Sequence, residues 1–268
     1  MLLPIRTVEK VWGRDELPAP FIAPDGKRIG EIWFEPPEQL PGLLVKYLFT
    51  SEKLSVQVHP SDAQSEVAGL GRQGKEECWL VVAAEPDATL GIGFTDAIDA
   101  ETMRAAALDG SIEDMLEWHP VRAGDFFYIP ANTVHAIGPG CSIIEIQQNS
   151  DITYRLFDYG RPRELHLDQA VSVADGAPYP AALHQVLPQA GHVSLVDGPC
   201  FRLDRVDGVA DESLLYSYAA PLLVIPLSGD VLVAGGTIAR PGECALAPDL
   251  ASVTFAPEGQ CLIAQPVS

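Results

Sequence analysis

The sequence has 268 residues, enough for one large domain or two modest ones, and its 47% hydrophobic and 20% charged residues are typical of a globular protein. The formal net charge of −20, without any cluster of lysine and arginine residues, argues against nucleic-acid binding. The N-terminus lacks the pattern of a signal peptide and no long apolar stretch occurs, so we expect a protein that is neither exported nor inserted into a membrane. The five cysteines are scattered without a CxxC pair, which favours reduced thiols and a cytoplasmic location.

Short strands separated by turns dominate the pattern, in keeping with 23 glycines and 23 prolines. Residues 54–59 alternate between apolar and polar, which predicts a strand with Gln57 and His59 on the same face. Other predicted strands cover residues 30–34, 43–47, 78–82, 90–94, 125–129, 134–137 and 142–147. Residues 99–118 break this pattern: an alanine-rich segment, followed by a capping-box-like stretch that starts at Ser111, predicts a small helical region.

The second part of the chain differs from the first in composition. Residues 171–190 are rich in alanine, proline and glycine and are interpreted as a linker, after which short strands resume at 222–227 and 231–234. Fourteen of the 17 lysines and arginines, and four of the six histidines, precede residue 171, so we assign metal and anion binding to the first part. The pattern predicts a mainly β protein with two antiparallel barrels or sandwiches in tandem, covering residues 1–175 and 176–268.

Several potential metal ligands lie in the first part. Gln57 and His59 share a strand face, Glu77 begins a later strand, and His135 ends a G-x5-P-x4-H pattern in which a turn at Pro130 directs the chain back into the structure. Imidazole, carboxylate and amide ligands without cysteine suit zinc in a catalytic site. A single histidine on a strand is more often a surface residue, so this spacing by itself leaves both interpretations open.

Longer strings of sequence carry a resemblance to a known family. Residues 54–60 (LSVQVHP), 74–79 (GKEECW) and 124–135 resemble the cupin superfamily and, within it, type I phosphomannose isomerases of the short bacterial form. Supporting strings lie at residues 10–13, 29–33, 44–46 and 149–158, in matching order over residues 8–170. The resemblance implies two cupin-type jelly-roll barrels and interconversion of mannose 6-phosphate and fructose 6-phosphate through an enediol. It also implies one zinc ion per chain with the ligands Gln57, His59, Glu77 and His135.

The same resemblance suggests roles for other residues. Moving a proton between C1 and C2 requires an electrophile, which zinc would supply, and an acid/base. The sequence offers Glu145, Lys75, Lys53 and a zinc-bound water as the acid/base and does not choose among them. Arg155 occupies the position of an active-site arginine of the family, and Ser55 and Lys75 map to contacts with substrate or phosphate. Glu76 is an alternative to Glu77 as the carboxylate ligand.

The sequence departs from the family pattern in two places, and three alternative functions stay open. The large helical domain of the longer family members is absent, and residues 176–268 have no ligand pair, so we expect a degenerate second barrel without metal. The alternatives are a non-catalytic, metal-containing sugar-binding bicupin, an isomerase of another phosphorylated aldose, and an iron-dependent cupin oxygenase. Gln57 in place of a histidine argues against the oxygenase. The expected partner is a small sugar phosphate, and the sequence does not indicate an oligomeric state.

Overall fold

The computed structural model describes residues 1–267, and these form a mainly β protein in which the paired strands run antiparallel. The strands before residue 190 are β1 (Ile5–Arg14), β2 (Ile29–Phe34), β3 (Leu43–Phe49), β4 (Val56–Val58), β5 (Glu77–Ala84), β6 (Thr89–Phe94), β7 (Leu116–Pro120), β8 (Asp125–Ile129), β9 (His135–Ile137), β10 (Cys141–Gln148), β11 (Tyr154–Phe157) and β12 (His184–Val186). The later strands are β13 (Val193–Asp197), β14 (Phe201–Asp207), β15 (Leu222–Ser228), β16 (Val231–Val233), β17 (Thr237–Ala239), β18 (Ala245–Ala247) and β19 (Gln260–Pro266). The prediction of a mainly β, antiparallel fold is confirmed.

The strands are arranged in three larger sheets and one hairpin. The first sheet has the order β1-β2-β3-β10-β5-β8-β12, and the second has the order β11-β4-β9-β6-β7. The end of the chain forms the third sheet, β13-β14-β19-β15-β18, and also the separate β16-β17 hairpin. The first sheet therefore holds the strands that carry Glu77 and Glu145, and the second holds those that carry Gln57, His135 and Arg155.

Both faces of the first sheet are buried, which explains why its central strands are almost continuously apolar. Trp79 on β5 belongs to a core shared with Ile92 of the second sheet. The next residue, Leu80, points to the opposite face, where it belongs to a core shared with Leu203 of the third sheet. The candidate site lies in the layer between the first and second sheets.

The helices are short and pack against the sheets: Ala106 and Ala170 belong to a core shared with Val58 of the second sheet. They are α1 (Asp62–Val67), α2 (Ala100–Asp109), α3 (Ile112–Met115), α4 (Leu167–Val173) and α5 (Glu212–Ser217). The helical region expected near 99–118 is present as α2 and α3, but the capping box expected at Ser111 is wrong, because the Ser111 side chain makes no capping hydrogen bond. Asp99 is the cap, accepting a hydrogen bond from the Thr102 amide, and α2 ends at Gly110 in the left-handed conformation with φ 89°. None of the helices within residues 1–267 is long and apolar enough to cross a membrane.

The interpretation of residues 171–190 as a linker is wrong. The segment contains the end of α4, a short 3-10 turn and β12, which pairs with β8 at the edge of the first sheet. Local composition rich in alanine, proline and glycine favours a loop, but the unpaired edge of β8 provides hydrogen-bond partners that sequence patterns do not reveal. The boundary between two units at residues 175 and 176 stays a prediction.

Candidate active site

Three buried side chains from both sheets meet between the layers. His59 follows β4 and His135 begins β9, two neighbouring strands of the second sheet, while Glu77 begins β5 of the first sheet. Their ligand atoms lie within 4.8 Å of one another, and none of the three residues is more than 2% exposed. The pairing of β4 with β9 places Gln57 directly opposite His135, so the fourth predicted ligand adjoins the same cluster.

Backbone carbonyl groups fix the orientation of both imidazole rings. His59 Nδ1 lies 2.7 Å from the Ile152 carbonyl oxygen, and His135 Nδ1 lies 2.9 Å from that of Thr133. Each Nδ1 therefore carries the proton and donates it, which leaves Nε2 of each ring as an acceptor. The two Nε2 atoms lie 3.7 Å and 3.4 Å from the carboxylate oxygens of Glu77. Hydrogen bonds of this kind hold metal-binding histidines in position in many proteins.

The electrostatics of this cluster fit a divalent cation. Burial raises the pKa of Glu77 to about 7, although Lys75 opposes the rise, and burial followed by Lys75 lowers the pKa of His135 to about 4. Burial also lowers the pKa of His59 well below its ordinary value. Neither carboxylate oxygen of Glu77 has a hydrogen-bond partner with normal geometry, even though Lys75 contacts it as an ion pair. Two neutral imidazoles and an incompletely compensated carboxylate form a donor set that zinc prefers.

Gln57 presents its side-chain amide to the same cluster. Its Nε2 lies 3.3 Å from His135 Nε2, and its Oε1 accepts a hydrogen bond of 3.1 Å from the Ser55 hydroxyl. A half-turn of the amide group would exchange the oxygen and nitrogen and direct the oxygen toward the cluster. Gln57 is therefore within reach of a cation held by the other three residues.

A polar cavity of about 270 Å³ opens beside the cluster, and five predicted site residues line it. These residues are Ser55, Gln57, Lys75, Glu145 and Arg155. Lys75 Nζ lies 3.2 Å from His59 Nε2 and 4.0 Å from Glu145 Oε1 and also contacts Glu77, so it joins the cavity to the buried cluster. Burial alone would lower the pKa of Lys75, but Glu145 and Glu77 outweigh it and raise the pKa, which keeps the amine protonated.

Glu145 is held by hydrogen bonds on both oxygens. Oε1 accepts from Lys46 Nζ at 3.1 Å and Oε2 accepts from Trp79 Nε1 at 3.1 Å. These partners lie directly opposite Glu145 on β3 and β5, so the strand register creates the contacts. Burial would raise the pKa of this carboxyl group, but Lys75 and Lys46 together lower it to about 2. Glu145 is therefore an anion at neutral pH with a fixed orientation.

Arg155 is the cation of the cavity that retains unused hydrogen-bonding capacity. It lies opposite Gln57 in the pairing of β11 with β4, and its Nε is buried without a hydrogen-bond partner among residues 1–267. Partial burial, followed by repulsion from Arg163, lowers the pKa of Arg155 from its ordinary value. Arg163 is itself held in a two-bond contact with Asp158, at 2.6 Å for each bond. Arg155 can therefore bind an anion that enters the cavity.

The structure does not bring two other candidates to the site. Lys53 forms an ion pair with Glu113 outside the residues that line the cavity, and its side chain is 43% exposed. Glu76, which directly precedes β5, accepts a hydrogen bond from the Tyr128 hydroxyl and does not line the cavity. The alternation of side chains along a strand separates the two neighbouring glutamates.

Sequence reasoning did not assign to the site several residues that line the cavity, among them Lys46, Lys10 and Trp33. Lys46 is 6% exposed, and its Nζ lies 2.5 Å from Gln147 Oε1 and 4.7 Å from the centroid of the Trp33 ring. The signal that would have revealed Lys46 is a single lysine within the otherwise apolar β3, because a lysine rarely becomes buried without a carboxylate partner.

Comparison with known proteins agrees with the sequence resemblance. No family model matches the chain. The chain is 42% identical over 139 residues to mannose-6-phosphate isomerase ManA of Bacillus subtilis, covering 50% of this chain and 44% of that protein. It is 43% identical over 137 residues to mannose-6-phosphate isomerase of Streptococcus mutans, covering 49% and 43%. The matched segment thus spans about half the length of these curated relatives.

Solved structures resemble the chain over its whole length. The crystal structure of mannose 6-phosphate isomerase from Bacillus subtilis superposes with a TM-score of 0.77 at 22% identity, covering 98% of both chains. A putative mannosephosphate isomerase from Archaeoglobus fulgidus superposes with a TM-score of 0.76 at 18% identity, covering 100% of this chain and 97% of the other. At such identities the superpositions show a shared fold. Together with the sequence matches, they confirm the resemblance to type I phosphomannose isomerases.

Proposed function

We propose that this protein is a zinc-dependent aldose–ketose isomerase that interconverts mannose 6-phosphate and fructose 6-phosphate. The observation that carries the proposal is the buried His59–Glu77–His135 donor set next to a cavity lined by Lys75, Glu145 and Arg155. Matching relatives named mannose-6-phosphate isomerase support the choice of reaction and substrate, although the match covers about half of their length.

The proposed zinc ligands are Gln57, His59, Glu77 and His135. A bound zinc ion supplies a Lewis acid that stabilises negative charge on a substrate oxygen. The buried oxygens of Glu77 support this assignment, because neither has a hydrogen-bond partner of normal geometry among residues 1–267. The Nδ1 contacts of both histidines support it too, because they leave each Nε2 with its lone pair directed at the cluster.

We propose a separate role for each of three charged residues that line the cavity. Lys75 stays protonated and can donate to an oxygen of the sugar near the cluster. Glu145 holds Lys46 and neutralises the amines. With a pKa of about 2 it is a weak base, so a zinc-bound water is a second candidate for accepting the proton from the substrate. Arg155 lies on the second sheet with an unused donor, so it faces the negative charge that the phosphate or the enediolate brings.

We also propose two tandem cupin-type barrels and a cytoplasmic location. The separate third sheet, formed by residues after 190, supports the first idea. In contrast, β12, which lies after residue 175, pairs with β8 of the first sheet. All five cysteines are free thiols, which suits a reducing compartment.

A coupled assay with mannose 6-phosphate, with and without a chelator, tests the proposed function. We expect turnover that is lost on chelation and restored by one equivalent of zinc per chain. Zinc binding without turnover would favour the sugar-binding bicupin, and turnover of a different phosphorylated aldose alone would correct the substrate. Parallel assays with iron under oxygen test the oxygenase alternative, which predicts oxygen consumption that depends on iron.

A further inference from the structure

A second polar cavity, of about 380 Å³, opens on the third sheet beside α5. Eight of its ten lining residues are polar, and none of the ten lines the first cavity. This volume is within the range of small-molecule sites. The sequence predicts only packing for this part of the chain, so a polar cavity here requires a separate explanation.

Strand register brings the polar groups together. Pairing of β13 with β14 places Ser194 opposite Asp204 and Asp197 opposite Arg202. Residues that face each other across two strands project to the same side, as do Arg202 and Asp204 two positions apart on β14. Four polar side chains from separate positions in the sequence therefore share one face of the sheet. Tyr218, which directly follows α5, lines the same cavity from the side of that helix.

Asp204 is the centre of the cluster. Its carboxylate accepts a hydrogen bond of 2.6 Å from the Tyr218 hydroxyl and lies 2.9 Å from His192 Nε2. Asp204 is 8% exposed and Tyr218 is 1% exposed. Burial, followed by the charge of Asp204, raises the pKa of Tyr218, so the hydroxyl remains a donor. The carboxylate is thus fixed in direction, while its further lone pairs can accept hydrogen bonds from a ligand.

Arg202 supplies donors to the same cavity. Its Nη1 donates to the Ser217 carbonyl oxygen at 2.8 Å, which anchors the guanidinium, whereas its Nε is buried without a hydrogen-bond partner among residues 1–267. Ser194 and Asp197 line the same cavity as exposed polar side chains. The cavity therefore offers both donors and acceptors of hydrogen bonds.

The charges select the class of ligand. Asp204 and Asp197 contribute two negative charges against the one permanent positive charge of Arg202, in a chain of net charge −20. A phosphate or another multiply charged anion is disfavoured by this balance. Hydroxyl groups both donate and accept hydrogen bonds, so they match a carboxylate beside a guanidinium without adding charge.

We propose that this cavity, built on His192, Arg202, Asp204 and Tyr218, binds a small neutral polyhydroxylated compound, of the class of unphosphorylated sugars and sugar alcohols. The site is separate from the proposed isomerase site, and its existence does not depend on that activity.

Isothermal titration of the zinc-loaded full chain with mannose, mannitol and inorganic phosphate tests the proposal. We expect saturable binding of at least one of the two neutral compounds and none of phosphate at this site. Asp204→Asn should weaken binding about tenfold or more, because a charged hydrogen-bond acceptor is lost. Ser194→Trp should have the same effect by filling the cavity from an exposed position, which keeps the test valid if Asp204→Asn does not fold.

Two matched variants separate this cavity from the rest of the molecule. Arg240→Ala changes an exposed arginine of the same part of the chain outside the cavity, and Arg155→Ala changes the first cavity; both should retain binding. Absence of saturable binding by mannose and mannitol would overturn the proposal. So would binding that survives Ser194→Trp and disappears in Arg155→Ala, or preferential binding of phosphate that Asp204→Asn strengthens.

Discussion

Without metal, the Glu77→Gln variant should be more stable than wild type. With zinc bound, the variant should be less stable than wild type. The carboxylate is 1% exposed, and burial raises its pKa from an ordinary 4.5 to about 7. Glutamine has nearly the same shape as protonated glutamate and cannot ionise. The comparison therefore removes the buried charge at nearly constant shape, together with its ion pair to Lys75.

The direction in which the free energy of unfolding changes with pH follows from the difference in pKa between the folded and unfolded states. A carboxyl group whose folded-state pKa is raised favours the folded state while it is protonated, and this contribution is lost as pH rises from the unfolded value through the folded one. Between pH 4.5 and about 7 the loss is on the order of 3 kcal/mol of unfolding free energy. Glu145 has its pKa lowered to about 2 and therefore titrates below this interval, so the two effects do not overlap.

Urea denaturation in chelator, at pH 5 and pH 8, measures the effect. We expect similar stability of Glu77→Gln and wild type at pH 5 and an advantage of the variant of up to about 3 kcal/mol at pH 8. Excess zinc should reverse the order, since a ligand at a thousand times its Kd adds about 4.1 kcal/mol to the protein that binds it, which exceeds the advantage of the variant. The reasoning is refuted if the difference between variant and wild type in chelator does not grow with pH.

Three further expectations concern the same site. His59→Ala and His135→Ala should each lose most zinc, measured by mass spectrometry, and most activity while circular dichroism is unchanged; stoichiometric zinc in an active double variant would contradict the ligand assignment. Wild type should hold one zinc per chain, and a second ion bound by residues 176–268 would contradict the degenerate second barrel. Arg155→Ala should lower kcat about a hundredfold or more, with Arg155→Lys intermediate, as for loss of a preorganised donor. If zinc-loaded Arg155→Ala has kcat and KM near the wild-type values, the assignment of Arg155 to the active site is wrong. Lys53→Ala serves as a control with unchanged kcat.

Much of the first site follows from local sequence periodicity. The two-residue period of a strand places Gln57 and His59 on one face, and the turn at Pro130 returns His135 to the neighbouring strand, where it pairs with Gln57. Periodicity also separates Glu77 from Glu76, because adjacent strand residues point to opposite faces. The shared face of Gln57 and His59 and the opposite directions of adjacent residues depend only on backbone geometry over a few residues, so a sequence can determine them. The pairing of Gln57 with His135 joins residues 78 positions apart and depends on strand order.

Long-range register decided the rest. Lys46 and Glu145 lie 99 positions apart in the sequence, and their contact depends on which strands become neighbours in the first sheet. Lys53, a reasonable base by sequence, instead pairs with Glu113 on α3. Local propensity is the same for many possible strand pairings, and only the burial of both sheet faces selects one of them.

The clearest case is the second cavity. Asp204 and Tyr218 have no distinctive spacing, and the sequence predicts only packing for the region around them. Their hydrogen bond forms because the chain after α5 folds back onto β14, and His192 joins them from the segment before β13. The sequence by itself determined which strand residues share a face, and its family resemblance supplied the proposed ligand set. Tertiary structure alone decided which distant polar groups share a buried face, because that depends on strand order and packing and not on local periodicity.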